Sequence, residues 1–539
     1  MHDDCNDPKE VPPVMKLWIR TATLLTLFAA LAACGGPASG PGGPGGPGGP
    51  DTGITGVTVT PSTGTVAVGS TLALSAAVQP ADANQSVTWT TSSTAVATVA
   101  ANGVVTGVGP ATVTITATSV ADPSRSASAT LEVFCETYTA LNLPTFVNTD
   151  TTVPPGCHDL AGTKRIVDGA TLTFQGPAVV RATNDSTGIR VENGTLLSLG
   201  EAATPIRFTA QNANPGAWHG FRILPGTSGN QLRHTTIEYA GRYTNTFHLR
   251  GGGSLFTGVR VEPNASATLD SVTIRRTSTG TGAGTEYVAA LFIEREATVT
   301  MLGENRFVEN QGPGVAVTAS QLHMLSADAD YGAALAANDE NVVVVNDDDT
   351  AAPPLVTGSR AWPALNVPYR VVRPATIDGP GTVITIAPGA RFEFEANAGI
   401  RVQNAATLRA IGGATSAERI VFTGAQATAG AWPGFHVNTT ATNEIRNTDI
   451  EFAGQNSTSF NPVGGGGIST SVRVGDGVGV GTGGGQAASL TFVGNVVRQS
   501  AGSGIRLEHP STSITPAVDQ LTAQNTFQSI ADDDVDDAR

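Results

Sequence analysis

GIRVENGTL, residues 188–196, recurs as GIRVQNAATL at 399–408. Around this pair GAWHGFRI at 216–223 returns as GAWPGFHV at 430–437, and TTIEYAG at 235–241 returns as TDIEFAG at 448–454. The offsets of 211, 214 and 213 residues are so nearly equal that residues 135–539 read as a tandem duplication. Two further pairs agree. ALNLP at 140 returns as ALNVP at 364, with the second copy about a dozen residues shorter there, and VTMLGENRFVENQGPGVAV from Val299 is echoed by LTFVGNVVRQSAGSGIRL from Leu490.

Each half strings short apolar strands together: LTF, GIRV, IRFTA, GFRI, TTIEYA, with Asn and Gly between them. Such strands bury no core alone, but stacked coils with one strand above its counterpart do. The succession resembles the right-handed parallel β-helix of pectate-lyase-like folds and surface proteins. About 16 to 18 coils at ~4.8 Å would make a rod of about 80 Å. A series of sandwiches or a propeller is the competing architecture.

Composition agrees with an all-β chain. Of 539 residues 64 are Gly and 32 Pro, with 14% charged and 5% aromatic, and both Gly and Pro oppose helix. A net charge of -15 disfavours nucleic acid and anionic lipid surfaces as partners.

Lys16 and Arg20 precede an uncharged, mostly apolar run from Thr21 to Ala33. As a helix this run rises roughly 20 Å, short of a ~30 Å hydrocarbon core, so it reads as an export signal over 15–33 and not a span. Residues 1–14 hold Asp3, Asp4, Asp7 and Glu10, the wrong charge for such a signal, which places the expected start of translation at Met15. Leu31-Ala32-Ala33-Cys34 resembles the lipobox of bacterial lipoproteins, which implies lipidation of Cys34, a membrane partner through that anchor, and a location at the outer membrane or cell surface. Ordinary cleavage near Ala33 is the alternative. Residues 34–53 then form a Gly/Pro spacer of roughly 25 Å as a coil or 60 Å as polyproline II.

Residues 54–134 form a separate module. Val57 and Val59, Leu72 and Leu74, and Val113, Ile115 and Ala117 alternate with polar residues as half-buried strands do. Asn102-Gly103 suits a tight hairpin, and Trp89 is the expected large core residue. The run VTVTPSTGTVAVGSTLALSAAVQPADANQSVTW is similar to the bacterial immunoglobulin-like domains of group 2, an implied spacer or adhesive module. The β-helix halves are expected at 135–350 and 351–531, with an acidic tail at 532–539.

Polar residues kept in both copies are the first candidates for chemistry: Asp168 with Asp378, Arg190 with Arg401, Asn193 with Asn404, and Glu238 with Glu451. Acids beside arginine would suit a lyase, yet one active site does not need its parts twice, so these pairs are read as supports of turns and ladders. Trp218 and Trp432 sit in the repeated GAWxGF phrase and are read as core or coil-capping residues, not sugar platforms. No catalytic residue and no metal ligand is assigned. His219 faces Pro433 in the other copy, and neither H-E-x-x-H nor G-x-S-x-G occurs. No cofactor is expected, though SADADYG at 326–332, NDDDT at 346–350 and DDDVDD at 532–537 leave Ca²⁺ open. Cys135 and Cys157 are the candidate disulfide of an exported protein.

These readings favour a non-catalytic surface lipoprotein that binds polysaccharide or a surface protein along Thr and Asn edges. A polysaccharide lyase or hydrolase, and a purely structural envelope component, are the alternatives.

Overall fold

The computed structural model describes residues 53–242, 256–278, 288–333, 336–346, 355–457, 460, 468–476 and 485–539. The expected export signal over 15–33, the expected lipidation site Cys34 and most of the expected spacer lie outside the described residues.

The first module is a small sandwich. Thr63–Ala67, Ser126–Phe134, Thr112–Ser119 and Val87–Thr91 make one sheet, and Thr71–Ala73, Val104–Gly107 and Ala97–Val99 a second. Along Thr112–Ser119 buried residues alternate with accessible ones, so Val113, Ile115 and Ala117 enter one core with Val66, Leu74, Val105 and Leu131. The hairpin at Asn102-Gly103 forms as expected, joining Ala97–Val99 to Val104–Gly107. Gly103 has φ +81°, and a Cβ there would lie 2.4 Å from the Leu74 carbonyl oxygen. Trp89 packs half-buried against the core and does not fill its centre.

From Thr139 onward the chain is a parallel β-helix. In its first half three strands per coil build three parallel sheets. Face A runs from Thr139–Ala140 to Arg306–Val308, face B begins at Phe146–Val147, and face C runs from Thr151–Val153 to Thr298–Leu302. Inward residues such as Phe174, Phe208, Phe221, Ile237 and Leu269 form one continuous apolar core, each fully buried side chain stabilising by roughly 1.5–3 kcal/mol. Face B is the spine of the whole rod, with fourteen described strands ending at Thr526–Gln528. Fourteen coils span about 65 Å, fewer than the 16 to 18 read from strand spacing, because several coils carry long excursions between strands.

The two copies do not line up face to face. IRFTA at 206–210 lies on face A, but its copy IVFTG at 420–424 lies on face B. GFRI lies on face B, and its copy GFHV lies in a separate seven-stranded sheet that starts at Leu355–Val356. The cause is the shortening after ALNVP. From Phe146–Val147 to Gly188–Val191 the first copy forms seven strands, whereas from Tyr369–Val371 to Gly399–Gln403 the second forms five. Losing two strands of a three-strand coil turns everything downstream by one face.

Several corner asparagines, Asn310, Asn338, Asn495 and Asn525 among them, are buried and not presented to solvent. Asn495 Oδ1 accepts the Thr448 N–H and Asn525 Oδ1 accepts that of Asn495, each at 3.0 Å, and Asn310 and Asn338 form the same ladder in the first half. These bonds satisfy backbone donors that the corners leave without a sheet partner. The acidic run 532–537, expected to fray, instead supplies the last strand of its sheet, Val535–Asp537 paired with Ser503–Leu507.

Candidate functional site

Trp218 and Trp432 are both buried in the core. Each donates its indole N–H to the main-chain carbonyl of the conserved glutamate of its copy, Glu238 at 2.7 Å and Glu451 at 2.8 Å. The glutamates then diverge. Glu238 is fully buried, clasped by Arg207 at 2.6 Å and by Arg275, with Thr209 donating at 3.1 Å. Burial works against its charge, yet the two guanidiniums outweigh burial and hold its carboxyl below the ordinary value. Glu451 is more open and is met by Arg498 at 2.9 Å and Thr423 at 3.0 Å.

Arg190 and Arg401 belong to a pattern that the sequence analysis missed. Arg165, Arg190, Arg222 and Arg260 stand in register on successive coils of face B. Arg401, His436, Arg473 and Arg506 do the same in the seven-stranded sheet of the second half. The signal was present: GIRV, GFRI, GVRV, then GIRV, GFHV, SVRV and GIRL, a basic residue between two apolar ones each time. These strands are buried on both sides, as Gly188–Val191 illustrates, so they lack the alternation that marks a half-exposed strand.

Like charges about 4.8 Å apart repel by roughly 3 kcal/mol at an effective dielectric of ~20, and acids offset that. Glu192 meets Arg165 at 2.6 Å and Arg190 at 3.1 Å, Glu262 meets Arg222 and Arg260, and Glu294 meets Arg260. In the second copy Asp476 and Glu508 meet Arg473 at 3.2 and 2.6 Å. Arg401 donates to the carbonyl of Phe460, whose ring lies 5.0 Å from the guanidinium. His436 is fully buried with Nε2 3.0 Å from Asp476 Oδ1. Burial lowers its pKa, Arg473 and Arg401 lower it further, and Asp476 pulls the other way.

Asp168 and Asp378 do not share a position. Ile166 pairs with Val191 and Ile377 with Val402, but Asp378 follows its isoleucine directly while Asp168 stands one residue further on, at φ +56°. Asp378 accepts hydrogen bonds from Gln403 at 2.7 Å and Asn404 at 2.8 Å. Asn193 instead accepts from the Gly169 N–H through its main-chain carbonyl at 2.6 Å.

Cys135 and Cys157 form a disulfide. It closes the segment holding Thr139–Ala140, Phe146–Val147 and Thr151–Val153, which is the first coil of the rod.

Among the described residues no group of three or more His, Cys, Asp or Glu converges as a metal ion requires. Of the three acidic runs, Asp330 accepts from Gly332 and Asn366, Asp536 pairs with Arg506 and Asp537 with Arg539, while 347–350 lie outside the described residues.

The outward side of face C is more open. Thr152, Thr173, Leu197, Gln231, Thr268 and Thr300 form one column across it. On the corresponding sheet of the second half Ala361, Thr385, Arg409, Glu444, Thr491 and Thr515 do so.

The fold defines a two-module all-β protein, an immunoglobulin-like sandwich followed by a duplicated parallel β-helix. The family model of the bacterial Ig-like domain (group 2) matches residues 53–130. A 3-O-alpha-D-galactosyl-alpha-L-arabinofuranosidase of Bifidobacterium longum subsp. longum is 57% identical over 67 residues, 12% of this chain. The chain matches only 6% of that enzyme's length.

Proposed function

We propose that the protein is a lipid-anchored envelope protein whose β-helix is a non-catalytic binding rod for polysaccharide or protein. The observation that carries this reading is the placement of charge. Glu238, Glu451, Arg190 and Arg401, kept in both copies, are spent on ion pairs or buried beneath the surface, whereas the accessible columns are mostly Thr and Gln beside Leu197, Ala361 and the Arg409–Glu444 pair. Such columns offer a repeating array of hydroxyl and amide groups along a rigid axis. The Cys34 anchor and the Gly/Pro spacer would hold the Ig-like domain and the rod away from the membrane.

The relative's name supports a saccharide as ligand, since it acts on an arabinofuranoside. It also favours a second reading, an enzyme acting on polysaccharide, although the shared segment is a small fraction of that enzyme. Fractionation and a glycan array test the first reading together. The intact chain is expected in the membrane fraction and on polysaccharide spots, and Cys34→Ala in the soluble fraction with the same glycan profile. Membrane retention of Cys34→Ala would sink the anchor.

A further inference from the structure

The two copies share one scaffold at the corner that precedes the arginine column, and they furnish it differently. The Arg242 N–H bonds the Trp218 carbonyl at 3.0 Å, and at the equivalent place the Gln455 N–H bonds that of Trp432 at 2.9 Å. In the second copy this corner is bridged by side-chain bonds of its own. Gln455 Oε1 accepts the Asn397 N–H at 2.7 Å, and Ser457 Oγ donates to Asn397 Oδ1 at 2.7 Å.

In the first copy the same corner is, among the described residues, a cleft of about 460 Å³. Asn184, Asp185, Asn212, Asn214 and Arg242 line it, with Pro215 and Ala217 as its apolar part. Arg242 pairs with Asp185 at 2.8 Å, and both remain accessible, 42% and 59% exposed. Behind Arg242, His219 Nδ1 lies 3.0 Å from the Arg242 carbonyl oxygen. That histidine is a first-copy feature, since Pro433 replaces it in the second. A duplicated scaffold thus keeps its core tryptophan and diverges at the cleft residues and at the residue that holds Arg242.

We propose that this cleft is a subsite for one neutral sugar residue of a polysaccharide. The proposal rests on the reading of the rod as a polysaccharide binder. The cleft's charges cancel, one carboxylate against one guanidinium, which gives no preference for an acidic sugar. Carboxylate and amide oxygens accept from adjacent hydroxyls while the guanidinium and amide N–H groups donate to them, and Pro215 with Ala217 faces the C–H side of a ring.

The test is saturation-transfer NMR and titration of the full chain with neutral tetrasaccharides of galactose, glucose, mannose and arabinose, and with tetragalacturonate. Asp185→Ala and Arg242→Ala are compared with Gln455→Ala, the matching change in the other copy, and thermal melts check that each variant is folded. The expected result is at least about tenfold weaker binding of a neutral tetrasaccharide in both first-copy variants, with Gln455→Ala unchanged. Undiminished binding in folded Asp185→Ala and Arg242→Ala overturns the cleft and leaves the polysaccharide reading standing. Binding of tetragalacturonate alone overturns the neutral ligand. If no sugar binds the unaltered chain, the cleft and the polysaccharide reading fall together, and protein remains as the partner.

Discussion

Trp218 donates its indole N–H to the carbonyl oxygen of Glu238, and Trp432 repeats that bond to Glu451 on a different face of the rod. The bond ties a core side chain to the backbone of a strand in the same copy, so it survives the rotation of one copy against the other.

The first prediction concerns Trp432, which stacks on Phe394 with ring centroids 4.1 Å apart. Trp432→Ala should cost about 3–5 kcal/mol as a cavity in a close-packed core. Trp432→Phe keeps most of the packing, strands the Glu451 carbonyl, and should cost about 1–2 kcal/mol. Urea unfolding of both variants measures the difference, and a Trp432→Phe chain as stable as the native one would contradict the role given to the indole N–H.

Glu238 and Glu451 are predicted to differ. Glu238→Gln leaves Arg207 and Arg275 facing a buried neutral group and should cost about 3 kcal/mol, the low end for a broken buried pair, because both arginines reach water. Glu451→Gln removes a partly exposed partner and should cost about 1 kcal/mol or less. Denaturation midpoints of the two variants decide, and a reversed order would refute the burial argument.

The histidines set a pH dependence. His436 and His219 both have pKa values lowered by burial. Between their folded values and the unfolded value near 6.5 the unfolded chain binds more protons, so stability rises with pH in that window. Acidification from pH 7.5 to 5 is therefore destabilising, and the loss levels off below the folded values. The corresponding first-copy position is Arg222, which carries a permanent charge beside Glu262, so the second copy alone has this column sensitivity. His436→Gln should flatten part of the slope of stability against pH, and an unchanged slope would show that His436 does not contribute.

Opening the Cys135–Cys157 bridge should loosen the first coil. For a separation of 22 residues the loop-closure contribution is about 3 kcal/mol. Thermal melts with and without reductant should differ for the native chain and coincide for a Cys135→Ser, Cys157→Ser double variant.

Much of this was legible in the sequence, and the illegible parts have physical reasons. Strand character, the duplication, the Ig-like module and the Cys135–Cys157 pair are local or pairwise signals that alternation and spacing carry. The one-face rotation is a cumulative property of how many strands fill each coil, and a missing dozen residues after ALNVP does not announce that it removes two strands. Arg222 and Arg473 were passed over because a charged residue in a strand reads as surface, whereas here both sides of the strand are buried. The same bias read Asn in general as part of an exposed edge, whereas the side chains of Asn310 and Asn495 complete buried backbone bonds. The Asp532–Asp537 run read as a tail because its pairing with Ser503–Leu507 is visible only once the coils are stacked.

The central claim is that the rod binds without reacting, and one measurement addresses it directly. The full chain is incubated with polysaccharides that it retains, and reducing ends and unsaturated products are followed alongside binding. The account predicts retention with no product above the rate without protein. Product formation that a single acidic substitution abolishes in a folded variant would contradict it and establish an enzyme.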